Sequence, residues 1–206
     1  AIALGLEERL KGANVLRVIF YLPMAISLIA VSLIWAWMYN PEWGVINTVL
    51  RKIGLESLTR LWLGEPSIAL YSVIFASCWN FIPLLIIIFN AGLTNIPREV
   101  IEASQIDGTS YFQQVRYVVL PLLRPTFTIS MIITVIFSLR TFDFVFAMTG
   151  GGPANASNVL ANFMFKEAFG NTLLGYGSSI AVILCILTLA FIAVYLRQIL
   201  GKEAFY

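Results

Sequence analysis

Apolar residues run along this chain in long uninterrupted blocks, and the charged residues gather between them. From Val18 to Pro41 there is no Asp, Glu, Lys or Arg, and the same holds from Pro66 to Pro97 and from Ala168 to Leu196. Each block exceeds the roughly 20 residues that a helix needs to cross a hydrocarbon core. A fourth block, Pro125 to Met148, is broken only by Arg140 and Asp143. The pattern predicts four complete spans, near 16–39, 67–91, 125–147 and 176–197. Backbone polar groups in lipid must be satisfied within the segment, which predicts helices. Stretches such as ISLIAVSLIWAWMY and IAVILCILTLAFIAVYL lack the ten-residue alternation of a membrane barrel strand. The expected fold class is all-α: a polytopic transmembrane helical bundle forming a single domain over 1–206.

Two of the intervening segments carry a pattern of their own. In 40–66, Ile46, Val49, Leu50 and Ile53 recur at helical spacing, with Arg51, Lys52 and Glu56 on other faces. That amphipathic helix either lies on the outer membrane surface or packs on its own protein. In 92–124, Pro97 suits a first helical turn and Glu99 favours the positive end of a helix dipole. A short helix with Val100, Ile101, Ala103 and Ile106 runs to about Asp107, and Gly108 interrupts it. A second stretch offers Phe112, Val115 and Val119, and Pro121 introduces the next span. Two short helices about a glycine hinge, outside the membrane, form a docking element whose apolar faces need a cover.

Composition sharpens this picture. Hydrophobic residues make up 59% of the chain and charged ones 12%, against about 45–50% and about 25% in soluble domains. A water-facing surface of ordinary composition is excluded. Histidine is absent, which excludes imidazole zinc sites and Ser-His or Cys-His catalysis. A net charge of +2 without a basic run gives no footprint for nucleic acid. Cys78 and Cys185 lie inside predicted spans, where they read as small apolar residues. The opening AIALGL reads as the tail of an earlier hydrophobic segment rather than a signal peptide, so an N-terminal part is expected to be missing. With the first segment cytoplasmic, eight of the basic residues (Arg9, Lys11, Arg17, Arg98, Arg116, Arg124, Arg197 and Lys202) fall on the inner side. Four fall outside: Arg51, Lys52, Arg60 and Lys166. This asymmetry follows the positive-inside rule, and Trp35, Trp37, Tyr39 and Trp43 form an interfacial belt at the far end of the first span.

The segment 102–121 has a specific spacing: Glu102-Ala103-Ser104, three residues, Gly108, nine residues, Val118, one residue, Leu120-Pro121. It resembles the Glu-Ala-Ala…Gly…Ile-x-Leu-Pro signature of permeases from binding-protein-dependent ABC importers, departing only at Ser104 and Val118. The longer IPREVIEASQIDGTSYFQQVRYVVLPLLRP is similar to the carbohydrate-type branch, the maltose and glycerol-3-phosphate group. RVIFYLPMAISLIAVSLIW, GVINTVL and RTFDFVFAMTGGGPANAS resemble the same branch, the last its maltose-F-like member. The resemblance implies a six-span permease, here lacking the first span and most of the second.

It also implies a coupling loop, 92–124, that seats on a cytoplasmic ATPase subunit through Glu102, Ala103, Ser104, Asp107, Gly108, Leu120 and Pro121. Gly108 would turn the corner, Ala103 and Ser104 would allow close approach, and Glu102 would offer a carboxylate to a basic group. The other implied partners are a second, homologous permease, an extracytoplasmic solute-binding protein and the lipid of a bacterial cytoplasmic (inner) membrane. The chain itself is expected to be no enzyme and to hold no cofactor: ATP and Mg belong to the ATPase, and no phosphate-loop motif occurs here. Gly150-Gly151-Gly152-Pro153 reads as a tight turn on the outer side.

Charges inside a span cost roughly 2.5–3.5 kcal/mol each on insertion scales. Arg140 and Asp143, at i and i+3 of the third span, would pair on one helix face or line a hydrated sugar path. Trp79, Asn80 and Asn90 offer stacking and amide bonds to a sugar, or bonds between helices. The solute remains open between a sugar and a polyol phosphate or amino acid. A passive or secondary transporter has no reason to carry the loop spacing, and an intramembrane enzyme lacks a reactive constellation.

Overall fold

The computed structural model describes residues 13–203, with side chains over 18–197. The AIALGL segment, Arg9 and Lys11 lie outside the described residues. Helices are α1 (Ala13–Ala25), α2 (Leu28–Met38), α3 (Val45–Lys52), α4 (Ala69–Thr94), α5 (Arg98–Ile106), α6 (Tyr111–Leu122), α7 (Arg124–Leu139), α8 (Asp143–Met148), α9 (Leu160–Phe165) and α10 (Leu174–Glu203). No strand occurs among the described residues, and the all-α expectation holds.

The single helix expected over 16–39 does not form. α1 and α2 meet at 107°. Pro23 removes a backbone donor near the end of α1, and Ser27 restarts the chain as the cap of α2, its Oγ accepting from the Ala30 amide at 3.3 Å. The break leaves the Pro23 carbonyl without its helical partner, and buried Asn80 on α4 donates Nδ2 to it at 2.6 Å. In lipid such an orphan needs a donor from a neighbouring helix.

α4 is the longest continuous span among the buried helices, and its apolar window is 39% buried. It pairs with α7: Phe81 stacks on Phe137 at 4.4 Å, and Phe89 meets Phe127 edge-on at 4.8 Å. Numbers fall on one helix as they rise on the other, so the two run antiparallel. They approach closely at Gly92, where a Cβ would overlap the Thr126 hydroxyl. A small residue at a membrane helix crossing permits that approach.

The core lies at one end of the bundle. Val31, Trp35 and Tyr39 of α2 and its cap pack with Val73 and Ala76 of α4 and with Phe144, Val145 and Met148 of α8. The segment 40–66 closes over this end and is fixed by one buried amide. Asn47 donates to the Arg60 carbonyl at 3.0 Å and the Pro41 carbonyl at 3.3 Å, and accepts from Trp62 Nε1 at 2.8 Å. Tyr39 donates its hydroxyl to the Ser72 carbonyl, and the Ser72 hydroxyl donates to the Trp62 carbonyl. α3 therefore packs on its own protein, through Ile46 and Asn47. The face expected from periodicity divides: Ile46 turns to the core, while Val49 and Ile53 are exposed.

α10 behaves differently. Its most apolar window has a mean hydropathy of 2.8 and is only 6% buried. A helix apolar all round and bare of protein is suited to lipid or to another membrane helix.

Candidate functional site

Two places bring the singled-out residues together: the α5–α6 hairpin and a cavity at the α7–α8 break.

In the hairpin, Pro97 caps α5 and Glu99 lies in its first turn. The helix ends in a Schellman motif. The Gly108 amide donates to the Gln105 carbonyl at 3.0 Å, and the Thr109 amide to the Ser104 carbonyl at 3.2 Å. Gly108 has φ +76, and a Cβ there would meet nothing within 4 Å. Its requirement is backbone handedness alone, not space. Ser110 then caps α6 in a capping box: its amide donates to the Gln113 carboxamide oxygen at 2.8 Å, and its hydroxyl accepts from the Gln113 amide. The S-x-x-Q spacing, Ser110 to Gln113, is the signature of this box in the sequence.

α6 contains one wide π turn, Val115–Val119, and bends by 64° into α7. Leu93, Val119 and Leu123 form a small core beneath the hairpin, with Phe89, Ile96 and Ile101 packed against it. The side of α5 and α6 away from that core is open. Glu102, Ala103 and Asp107 are exposed, and Ile106 and Phe112 stand 87% and 73% exposed. Leu120 is half-buried and Pro121 exposed at the end of α6. On the core side, a groove of about 490 Å³ between the helices is floored by Leu93, Ile101 and Val119 and edged by Arg98, Glu102 and Gln105.

Ser104 is buried between the two helices rather than on the open face. Its Oγ donates to the Ile101 carbonyl at 2.7 Å and accepts from Gln114 Nε2 at 2.9 Å. Gln114, which sequence reasoning missed, is also buried. A lone Gln on an amphipathic helix gives no signal of burial.

At the second place, α7 stops at Leu139, short of the expected 147. Arg140 caps it, and Thr141 turns back to donate its hydroxyl to the Phe137 carbonyl at 2.9 Å. Asp143 opens α8. Arg140 and Asp143 thus flank a helix break rather than share a helix face, and no ion pair joins them; among the described residues the one salt bridge is Arg60–Glu65 at 3.7 Å. Both border a cavity of about 350 Å³, with Phe81 and Phe137 among its walls. Trp79 and Asn80 do not line it. Trp79 meets Trp35 edge-on at 5.8 Å, and Asn80 is committed to Pro23. Asn90 donates to the Tyr21 hydroxyl at 3.1 Å. The TGGGP segment is a turn, as expected, followed by α9; Thr149 and Ser157 hydroxyls bond across it at 2.7 Å. Among the described residues no group of Cys, Asp or Glu converges to hold a metal ion.

Bent apolar helices with a capped hairpin beside them define a polytopic helical membrane protein. Residues 1–205 match the family described as the binding-protein-dependent transport system inner membrane component, and the chain belongs to that family. It is 39% identical over 196 residues to a probable ABC transporter permease protein of Pyrococcus horikoshii, covering 95% of this chain and 67% of that one. To the trehalose/maltose transport system permease protein MalF of Thermococcus litoralis it is 36% identical, covering 95% of this chain and 65% of that one. To the xylose/arabinose import permease protein XacH of Haloferax volcanii it is 32% identical, covering 95% and 61%. The chain thus spans about two thirds of the length of these relatives. Its fold superimposes with a TM-score of 0.86, at 21% identity, on a chain from a bacterial ABC transporter involved in the import of the acidic polysaccharide alginate, covering 96% of this chain and 69% of the other.

Proposed function

We propose that this chain is the core of a permease subunit of an ABC importer for a sugar or sugar-like solute, forming half of the translocation path in a cytoplasmic membrane. It works with a second permease, with cytoplasmic ATPase subunits that bind and hydrolyse ATP with Mg, and with an extracytoplasmic solute-binding protein. The observation that carries this reading is the hairpin. The Glu102…Gly108…Leu120-Pro121 spacing folds into two capped helices about a positive-φ glycine, with Ile106 and Phe112 bare of protein.

ATP closes the ATPase pair, the hairpins move together, and the bundle opens outward; hydrolysis resets it inward. Glu102, Ala103, Asp107 and Gly108 supply the contact, and the bend from α6 into α7 carries the motion toward the cavity. There Arg140 donates and Asp143 accepts hydrogen bonds from a hydroxylated solute. The sugar class is supported by the names of the trehalose/maltose and xylose/arabinose relatives.

The test is uptake into proteoliposomes holding the full-length permease, its companion, the ATPase and a binding protein. Accumulation that requires both ATP and the ATPase is expected. Solute flux that persists without the ATPase would overturn the importer reading in favour of passive or secondary transport.

A further inference from the structure

The hairpin has two helices and a glycine corner, and nothing in a glycine corner fixes an angle. A Schellman turn closes the end of α5, and the capping box closes the start of α6, but each is local to its own helix. A push on α5 would be absorbed at the corner unless a contact across the pair resists it.

Ile101 of α5 packs against the core that holds Val119 of α6, but such apolar contact can slide; Gln114 adds directed polar bonds across the pair. Gln114 lies four residues into α6 and is 91% buried, since its relative exposure is 9%. Its Nε2 donates to Ser104 Oγ at 2.9 Å and to the Ile101 carbonyl at 3.2 Å, both on α5. Ser104 is itself 6% exposed, and its hydroxyl and carbonyl are both used, the carbonyl receiving the Thr109 amide and hydroxyl. A buried amide with two partners resists displacement, because breaking it leaves polar groups unmet. Directly after Gln114 the chain widens into the π turn and then bends into α7, which ends at Arg140.

We infer that the Gln114 carboxamide is the positioning residue that locks α5 to α6, so that displacement of the docking helix reaches α7 instead of flexing the Gly108 corner. The inference rests on the importer reading of the hairpin. Gln114 touches neither solute nor nucleotide in this role; it sets how much of one motion becomes another.

The experiment uses the complete reconstituted importer and reads two quantities for each variant: ATPase retained by the permease, and solute molecules taken up per ATP hydrolysed. Gln114→Leu keeps the bulk and removes both bonds. Its uptake per ATP is expected to fall about tenfold, the scale of two lost buried hydrogen bonds, with ATPase retention unchanged. Ser104→Ala removes one of the two partners and should fall by less, and Gln114→Glu should fail to restore coupling, because a carboxylate cannot donate to the Ile101 carbonyl. A merely structural contact would lower thermal stability and leave the ratio of uptake to hydrolysis alone; that result overturns the inference. Loss of retention together with uptake, from a variant that still assembles with the companion permease, also overturns it, by making Gln114 part of the contact surface. Failure of the wild-type permease to retain any ATPase would overturn the importer reading instead, and the inference with it.

Discussion

The carboxamide of Asn80 donates to the carbonyl of Pro23 across 2.6 Å, and so joins α4 to α1 where the first membrane segment breaks. The bond answers a backbone defect with a side chain from the neighbouring span. Asn80→Leu removes the only donor shown to that carbonyl. It is expected to lower the unfolding midpoint of the detergent-solubilised permease, corresponding to about 1–3 kcal/mol for an unmet buried acceptor. ATPase capture by the α5–α6 hairpin should be unchanged.

The same logic of close approach applies at Gly92. A Cβ there would overlap the Thr126 side chain, so Gly92→Ala should cost about 1–3 kcal/mol through overpacking. Thr126→Ala in the same protein should recover part of the loss, because it removes the hydroxyl that the new methyl meets. Thermal unfolding of the two single variants and the double variant checks this; additive losses would contradict it.

Gly108 calls for a different series. With φ +76 and open space around its Cα, the penalty at this position is conformational. Gly108→Asn should be the mildest change and Gly108→Ala should cost roughly 1–2 kcal/mol. Gly108→Val should be the worst, since a β-branched residue resists positive φ most. Ranking ATPase capture and hydrogen exchange of the 98–122 amides across these variants tests it. A penalty that tracked side-chain volume alone would point to a steric corner instead.

Much of this architecture is legible in the sequence, and the parts that are not share a cause. The uncharged blocks locate α4 and α10 because a span is a composition, and composition survives without tertiary contacts. The breaks at Ile26–Ser27 and at Arg140–Phe142 are hidden by that same continuity. Pro23, Ser27 and Thr141 shape those breaks, but apolar neighbours on both sides make the run look unbroken. At the hairpin, Gly108 and Pro97 declare themselves through backbone chemistry, and the spacing from Glu102 to Pro121 is a pattern in the chain. Ser104 and Gln114 are different. Which side of a short helix faces its partner is decided by the turn between the two helices, and a polar residue buried against another polar residue breaks no periodicity.

The lack of an ion pair between Arg140 and Asp143 separates two roles for them. If they serve the solute path, Arg140→Gln and Asp143→Asn should each reduce uptake by about tenfold while ATPase capture stays at the wild-type level, as expected when a charge-assisted hydrogen bond to solute is lost. Exchanging them, Arg140→Asp with Asp143→Arg, should not restore uptake. Restoration by the exchange would mean that the two act as a pair.

The hairpin remains the centre of the functional reading, and the most direct measurement is capture of the ATPase subunit in detergent by the full-length permease with its companion present. The wild type should retain the ATPase and Gly108→Val should lose it, with both inserting equally into the membrane. Equal retention by the two proteins, or none by the wild type, would contradict the assignment of 92–124 as the surface on which the ATPase docks.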